Sequence, residues 1–191
     1  IDDYDTDGNG EVSDEEKFKW VEYYKCKFKA TWFSPFTEKL VLATKTEFGL
    51  LGAYNQEFGI SPFERFYVGG DGLSGMGYMN DGRELVALRG YSNNSISPQT
   101  GATIYNKYTT EIRYALSLNP TSTMYALAFL EAGNAWEKFD NFNPFGVKRS
   151  VGIGVKIMLP MIGMMGLDYG WGLDEVIGNP EANGGQFHFS I

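Results

Sequence analysis

The chain is poor in the residues from which soluble enzymes usually build chemistry. Its 191 residues include one histidine, His188, and one cysteine, Cys26. A single cysteine excludes an internal disulfide framework. There is no Ser/His/Asp set, no zinc-ligand spacing and no phosphate-binding glycine loop, so no enzyme is expected. No run of about 18 apolar residues occurs, which excludes a helical membrane span. Positive charge is also short. Sixteen Lys and Arg stand against 24 Asp and Glu, a net charge of −8, which argues against a nucleic-acid partner. No secretory signal opens the chain. It starts in an acidic turn and stops in mid-strand at Ile191, so a piece of a longer mature protein is expected.

What is present is alternation. In Ser150 to Leu159, Val151, Ile153, Val155, Ile157 and Leu159 share one strand face. Gly152, Gly154, Lys156 and Met158 share the other. The length suits a tilted strand crossing a bilayer core, about 9–11 residues. Such a pattern writes a transmembrane β-barrel, apolar outside and polar inside. It hides from averages: the mean hydropathy is −0.27. Aromatic residues at 16% and 24 glycines fit interfacial girdles and closely spaced backbones. Alternation alone fits a soluble β-sandwich or lipocalin-like barrel as well.

About eight strands can be placed. The first runs from about Lys17 to Phe33, with Trp20, Tyr24, Cys26, Phe28, Ala30 and Trp32 on one face and Lys19, Lys25, Lys27 and Lys29 on the other. The second covers about Lys39 to Tyr54, with Lys45 and Glu47 inward, and the third about Phe63 to Gly69. A Gly- and Asn-rich segment, about 70–105, is too long for a hairpin turn. The fourth strand, about Tyr108 to Leu118, turns Glu111 and Arg113 inward. The fifth, about Met124 to Trp136, places Tyr125, Phe129 and Glu131 inside, so something must pack against those aromatics. The sixth is the Ser150 strand. The seventh, about Met165 to Gly172, turns Asp168 inward, and the last starts at Gln186. Either these strands close as a small barrel or another part of the chain completes them.

The acidic opening, Asp5 to Glu16, fits the EF-hand calcium loop at every ligand position. Asp5, Asp7 and Asn9 supply side-chain oxygens, Glu11 a carbonyl, Ser13 a water-mediated contact and Glu16 a bidentate carboxylate. Gly10 allows the turn. The pattern equally describes a solvated acidic turn. Calcium is therefore the one ion the sequence suggests, and no cofactor is required.

Leu88-Arg89-Gly90-Tyr91 resembles the Val-Arg-Gly-Phe/Tyr tetrad of the barrel-assembly superfamily, whose members insert or secrete proteins across outer membranes. It follows Phe66-Tyr67-Val68-Gly69-Gly70, similar to that family's aromatic-Gly-Gly strand. It precedes Phe129-Leu130-Glu131-Ala132-Gly133, similar to the family's Phe-x-Asp-x-Gly motif with Glu for Asp. Arg149 to Pro160, Gly166 to Gly170 and Gln186 to Ile191 resemble its last three strands. The likeness is greatest to BamA-type assembly factors in a form typical of Bacteroidota.

The resemblance implies an all-β fold, a transmembrane antiparallel barrel of 16 strands. Residues 1–191 would be the last eight or so strands of one barrel domain, following N-terminal POTRA domains. Residues 70–105 would enter the lumen, with Arg89 paired to Glu111 and Glu131, while 1–16 would be a periplasmic turn. It implies insertion and folding of β-barrel proteins in the bacterial outer membrane, with lipids, unfolded barrel clients and accessory lipoproteins as partners. Gln186, Phe187, His188, Phe189, Ser190 and Ile191 would form the gate strand. A TamA-like factor, a two-partner secretion transporter and a passive channel are the rival readings.

Overall fold

The computed structural model describes residues 23–54, 60, 64–73, 83–119, 122–161 and 163–190. Nine strands lie among them: β1 (Tyr23–Pro35), β2 (Leu40–Ala53), β3 (Phe66–Val68), β4 (Glu84–Val86), β5 (Ile104–Asn119), β6 (Ser122–Trp136), β7 (Lys148–Leu159), β8 (Gly163–Gly172) and β9 (Gly185–Ser190). The acidic segment with Asp5, Asp7, Asn9, Glu11 and Glu16 lies outside the described residues, as do Trp20 and Ile191.

Seven strands form one sheet in the order β1-β2-β5-β6-β7-β8-β9, and every neighbouring pair is antiparallel. The protein is all-β and this sheet is part of a barrel wall. Among the described residues β1 and β9 do not pair with each other, and each is an edge of this sheet.

Two expectations need correction. The stretch Phe63 to Gly69 is not a wall strand. Among its described residues, 64–69, only Phe66–Val68 is a strand, and it pairs in parallel with β4 in a separate two-stranded sheet. Three residues cannot cross a bilayer that needs about 9–11. Gly69 and Gly70, at φ 128° and 78°, end the strand at once. Phe66 and Val68 look like a strand because both pack inward, into a core with Val86, Leu88, Tyr91, Ile96 and Tyr105. The connection between wall strands therefore spans residues 54–103, not 70–105, and carries β3 and β4 inside it. Seven wall strands are described.

The two faces of the wall follow side-chain parity. Tyr24, Phe28 and Trp32 of β1, Ile112 and Tyr114 of β5, Leu130 of β6, Ile153 and Val155 of β7, Leu167 of β8 and Phe187 of β9 are all exposed on the outer face. Cys26 shares that parity and is exposed too. The inner face meets the long connection. Lys25 reaches Glu64 and Glu84 at 3.3 and 3.2 Å, and Lys27 reaches Glu84 at 3.2 Å. The register of β5 on β6 is broken once, between Ala115 and Ser117, where Leu116 is extra. Short connections at one end (36–39, 120–121 and 160–162) face long ones at the other (54–103, 137–147 and 173–184).

Candidate functional site

The site sits where the apex of the long connection meets the inner face. Leu88 bonds reciprocally with Gly70, which sets Arg89 and Gly90 at a turn against the wall. The chain turns there because Gly90 has φ 88°. A Cβ on Gly90 would lie 2.7 Å from both the Gly172 nitrogen and the Trp171 carbonyl carbon of β8. Backbone touches backbone at this point.

Arg89 is buried and fully engaged. Its Nη2 donates to Glu111 Oε1 at 2.7 Å and to Glu131 Oε1 at 2.8 Å. Its Nε donates to Glu131 Oε1 at 3.1 Å, and its Nη1 to Asp168 Oδ2 at 3.2 Å. The backbone N–H of Arg89 donates to Glu131 Oε2 at 2.8 Å. The guanidinium also lies 3.6 Å from the centroid of the Phe129 ring, a cation–π contact in a desolvated place. One planar fork thus collects carboxylates from β5, β6 and β8, as only arginine geometry allows.

Burying a carboxylate is costly unless it is paired. Here each acid has a second cation. Lys107 stands 3.1 Å from Glu131, Arg113 is 2.6 Å from Glu111, and Lys156 is 2.8 Å from Asp168. Lys156 also donates to Ser190 Oγ of β9 at 2.6 Å. Four cations and three carboxylates, carried by the loop and four strands, form one network, which Ser190 extends to a fifth strand. Gly154 makes room for it, since a side chain there would overlap the Asp168 carboxylate.

The rest of the tetrad is held from other sides. The Tyr91 hydroxyl donates to the Arg149 carbonyl at 2.6 Å, and Tyr91 bridges to Asn183. The Ser92 N–H donates to the Ala182 carbonyl at 2.8 Å, so the β8–β9 connection clamps the apex. At the rim of the wall, the Arg149 guanidinium donates to the Asp174 carboxylate at 2.7 Å and holds it below the usual carboxylate range.

Of the sequence-named residues, Leu88, Arg89, Gly90, Tyr91, Glu111 and Glu131 converge here. Gln186 to Ser190 form an edge strand, with Phe187 and Phe189 outward and His188 buried inward. Sequence reasoning never named Lys107, which shares the inner parity of Glu111, and left three other members unconnected to the tetrad. Asp168 and Lys156 had inner parity, the available signal, yet were not connected to Arg89. His188 is the third. The Gly90 N–H donates to its Nε2 at 2.7 Å, so the imidazole accepts there. Replacing His188 by leucine should leave that N–H unsatisfied, about 1–3 kcal/mol. Hydrogen exchange of the peptide containing Gly90 should then accelerate, while glutamine at 188, which keeps an acceptor, should change it less. Equal exchange in the leucine variant and the native protein would remove His188 from the docking set.

No three of His, Cys, Asp and Glu are placed to hold a metal ion among the described residues. The arrangement is a docking site for the protein's own loop.

A comparison with curated proteins finds no match. A family model described as the Omp85 superfamily domain matches residues 4–191, nearly the whole chain. With an antiparallel wall, an apolar outer face and an arginine-bearing loop tied to the inner face, the chain belongs to the Omp85 superfamily of outer-membrane β-barrel proteins.

Proposed function

We propose that the chain is the C-terminal part of a BamA-type barrel that inserts and folds β-barrel proteins in the bacterial outer membrane. The observation that carries this reading is the docked Arg89–Gly90 apex. It lies against the inner face and touches β5, β6, β8 and β9 at once. A passive channel needs an open lumen instead. The same apex reaches β9, an edge strand whose outer side has no partner among the described residues. An edge offers a row of N–H and C=O groups to an incoming strand. A client strand would add there, with no covalent chemistry, while lipids surround the wall and accessory lipoproteins assist.

The test uses the full parent protein in lipid vesicles with an unfolded β-barrel client. Client folding, read as protease protection, should run well above the rate in empty vesicles, and steady conductance should be low. Large steady conductance with no acceleration of client folding would replace this reading with a passive channel. A TamA-like factor or secretion transporter of the same superfamily would instead show selectivity for its own substrate class.

A further inference from the structure

The β6–β7 connection, residues 137–147, lies back over the outer side of the wall. Parity shows this. Ile104 and Asn106 of β5 share the outward parity of Tyr108 and Ile112 and stand opposite Trp136 and Asn134 of β6. Lower on the same face Ile112 is 49% exposed, yet Ile104 is 0% and Asn106 2% exposed. The connection is their cover. The Asn106 side-chain N–H donates to the Pro144 carbonyl at 2.9 Å, and that of Asn134 donates to the Gly146 carbonyl. Two strand amides pin the connection against the wall.

Aromatic rings fill the space between. Phe142 packs edge-on against Trp136 at 5.0 Å and against Phe48 of β2 at 6.0 Å, and Phe139 stacks on Phe142 at 5.9 Å. Two rings then point away from the protein. Phe145 is 90% exposed and Phe139 66%. Charge stops at Asp140 and resumes at Lys148, so 141–147 is neutral.

We propose that residues 139–145 are an aromatic flap immersed in the membrane, at the boundary between lipid headgroups and acyl chains, with Phe139 and Phe145 as the inserted rings. The occupant follows from continuity. The flap covers the upper end of the face whose lower rows, Ile112, Leu130 and Ile153, face lipid in an outer-membrane barrel. Aromatic rings favour that boundary, and the exposed amides of Asn141 and Asn143 fit its polar side. A water-soluble partner would have to reach the lipid side of the wall, and the only charge it would meet between Phe139 and Phe145 is Asp140. The proposal is independent of which substrate the barrel handles.

A nitroxide scan of the parent protein in vesicles tests it. Cys26 and any other cysteine are replaced, and single cysteines are placed at Phe145, at Phe139, at Leu130 as a lipid-facing reference and at Gln99 as an exposed loop reference. Collision with oxygen reports lipid, and collision with a water-soluble nickel chelate reports water. Labels at 145 and 139 should favour oxygen severalfold over the Gln99 label and approach the Leu130 label. Nickel collisions equal to those at Gln99 would place the flap in water and overturn the proposal. Low collision with both probes would mean a protein covers the rings, and would overturn it as well. Unchanged β-sheet circular dichroism in each labelled protein excludes misfolding as the cause.

Discussion

Replacing Arg89 by alanine is expected to free the loop apex from the wall. Glu111, Glu131 and Asp168 would keep Arg113, Lys107 and Lys156, but each would lose the cation they share. Breaking a buried pair by removing one partner costs about 3–5 kcal/mol. Most of that should appear as undocking, since the loop can leave while the wall stays bonded. Hydrogen exchange over residues 84–96 should rise strongly in Arg89→Ala, with little change in β6 and β7. If the proposed function holds, client insertion should fall with it. Lysine at 89 should rescue poorly, because one ammonium cannot span carboxylates on three strands as the planar fork does. Native protection of residues 84–96 in Arg89→Ala would show that the apolar core around Phe66 and Leu88 docks the loop without the arginine.

The second large effect is expected at Gly90, where charge plays no part. Alanine there meets two obstacles. The backbone has φ 88°, and a Cβ would press on the backbone of Trp171 and Gly172 at 2.7 Å. Strain of this kind costs about 1–3 kcal/mol, and crowding into a packed place adds about 1–3 kcal/mol. Gly90→Ala should therefore undock the loop nearly as well as Arg89→Ala with every ion-pair partner intact. Exchange of the β8 amides facing the apex should rise in both variants. Undocking in Arg89→Ala but not in Gly90→Ala would mean that β8 can retreat to admit a methyl group.

Much of the architecture was readable because a strand face is a matter of parity. Val151 to Leu159 and the lysine row of β1 declare their faces within a few residues, and Glu111, Glu131 and Asp168 were all placed inward in that way. Parity gives a face, however, and not a height. Asp168 reaches Arg89 only because β7 and β8 are staggered to put it opposite Gly154, and face parity alone does not fix that stagger. The error at Phe66 to Val68 has a similar origin. Three alternating residues look the same in a wall strand and in a loop that carries its own core. The flap was invisible for a third reason. Phe139, Phe142 and Phe145 follow no strand period, and it takes the burial of Ile104 and Asn106 with the bonds to Pro144 and Gly146 to reveal that a connection lies over them.

The glycines that admit the loop also govern how the wall bends. At the terminal end of the sheet the inner positions Gly152, Gly154, Gly166, Gly170 and Gly172 carry no side chain of their own. Elsewhere inner side chains brace one strand against the next, as Glu131 is braced against Lys107. Beside β9 that bracing comes from Phe129, Lys156, Asp168 and the loop backbone laid across them. The loop is in this sense a removable splint. Docked, it lends the thinnest part of the wall the stiffness its own sequence withholds. Undocked, it would leave a line of bare backbone next to β9, the edge of the described sheet, so the pliability of the last hairpin would be set by a segment some eighty residues upstream, as from Arg89 to Asp168.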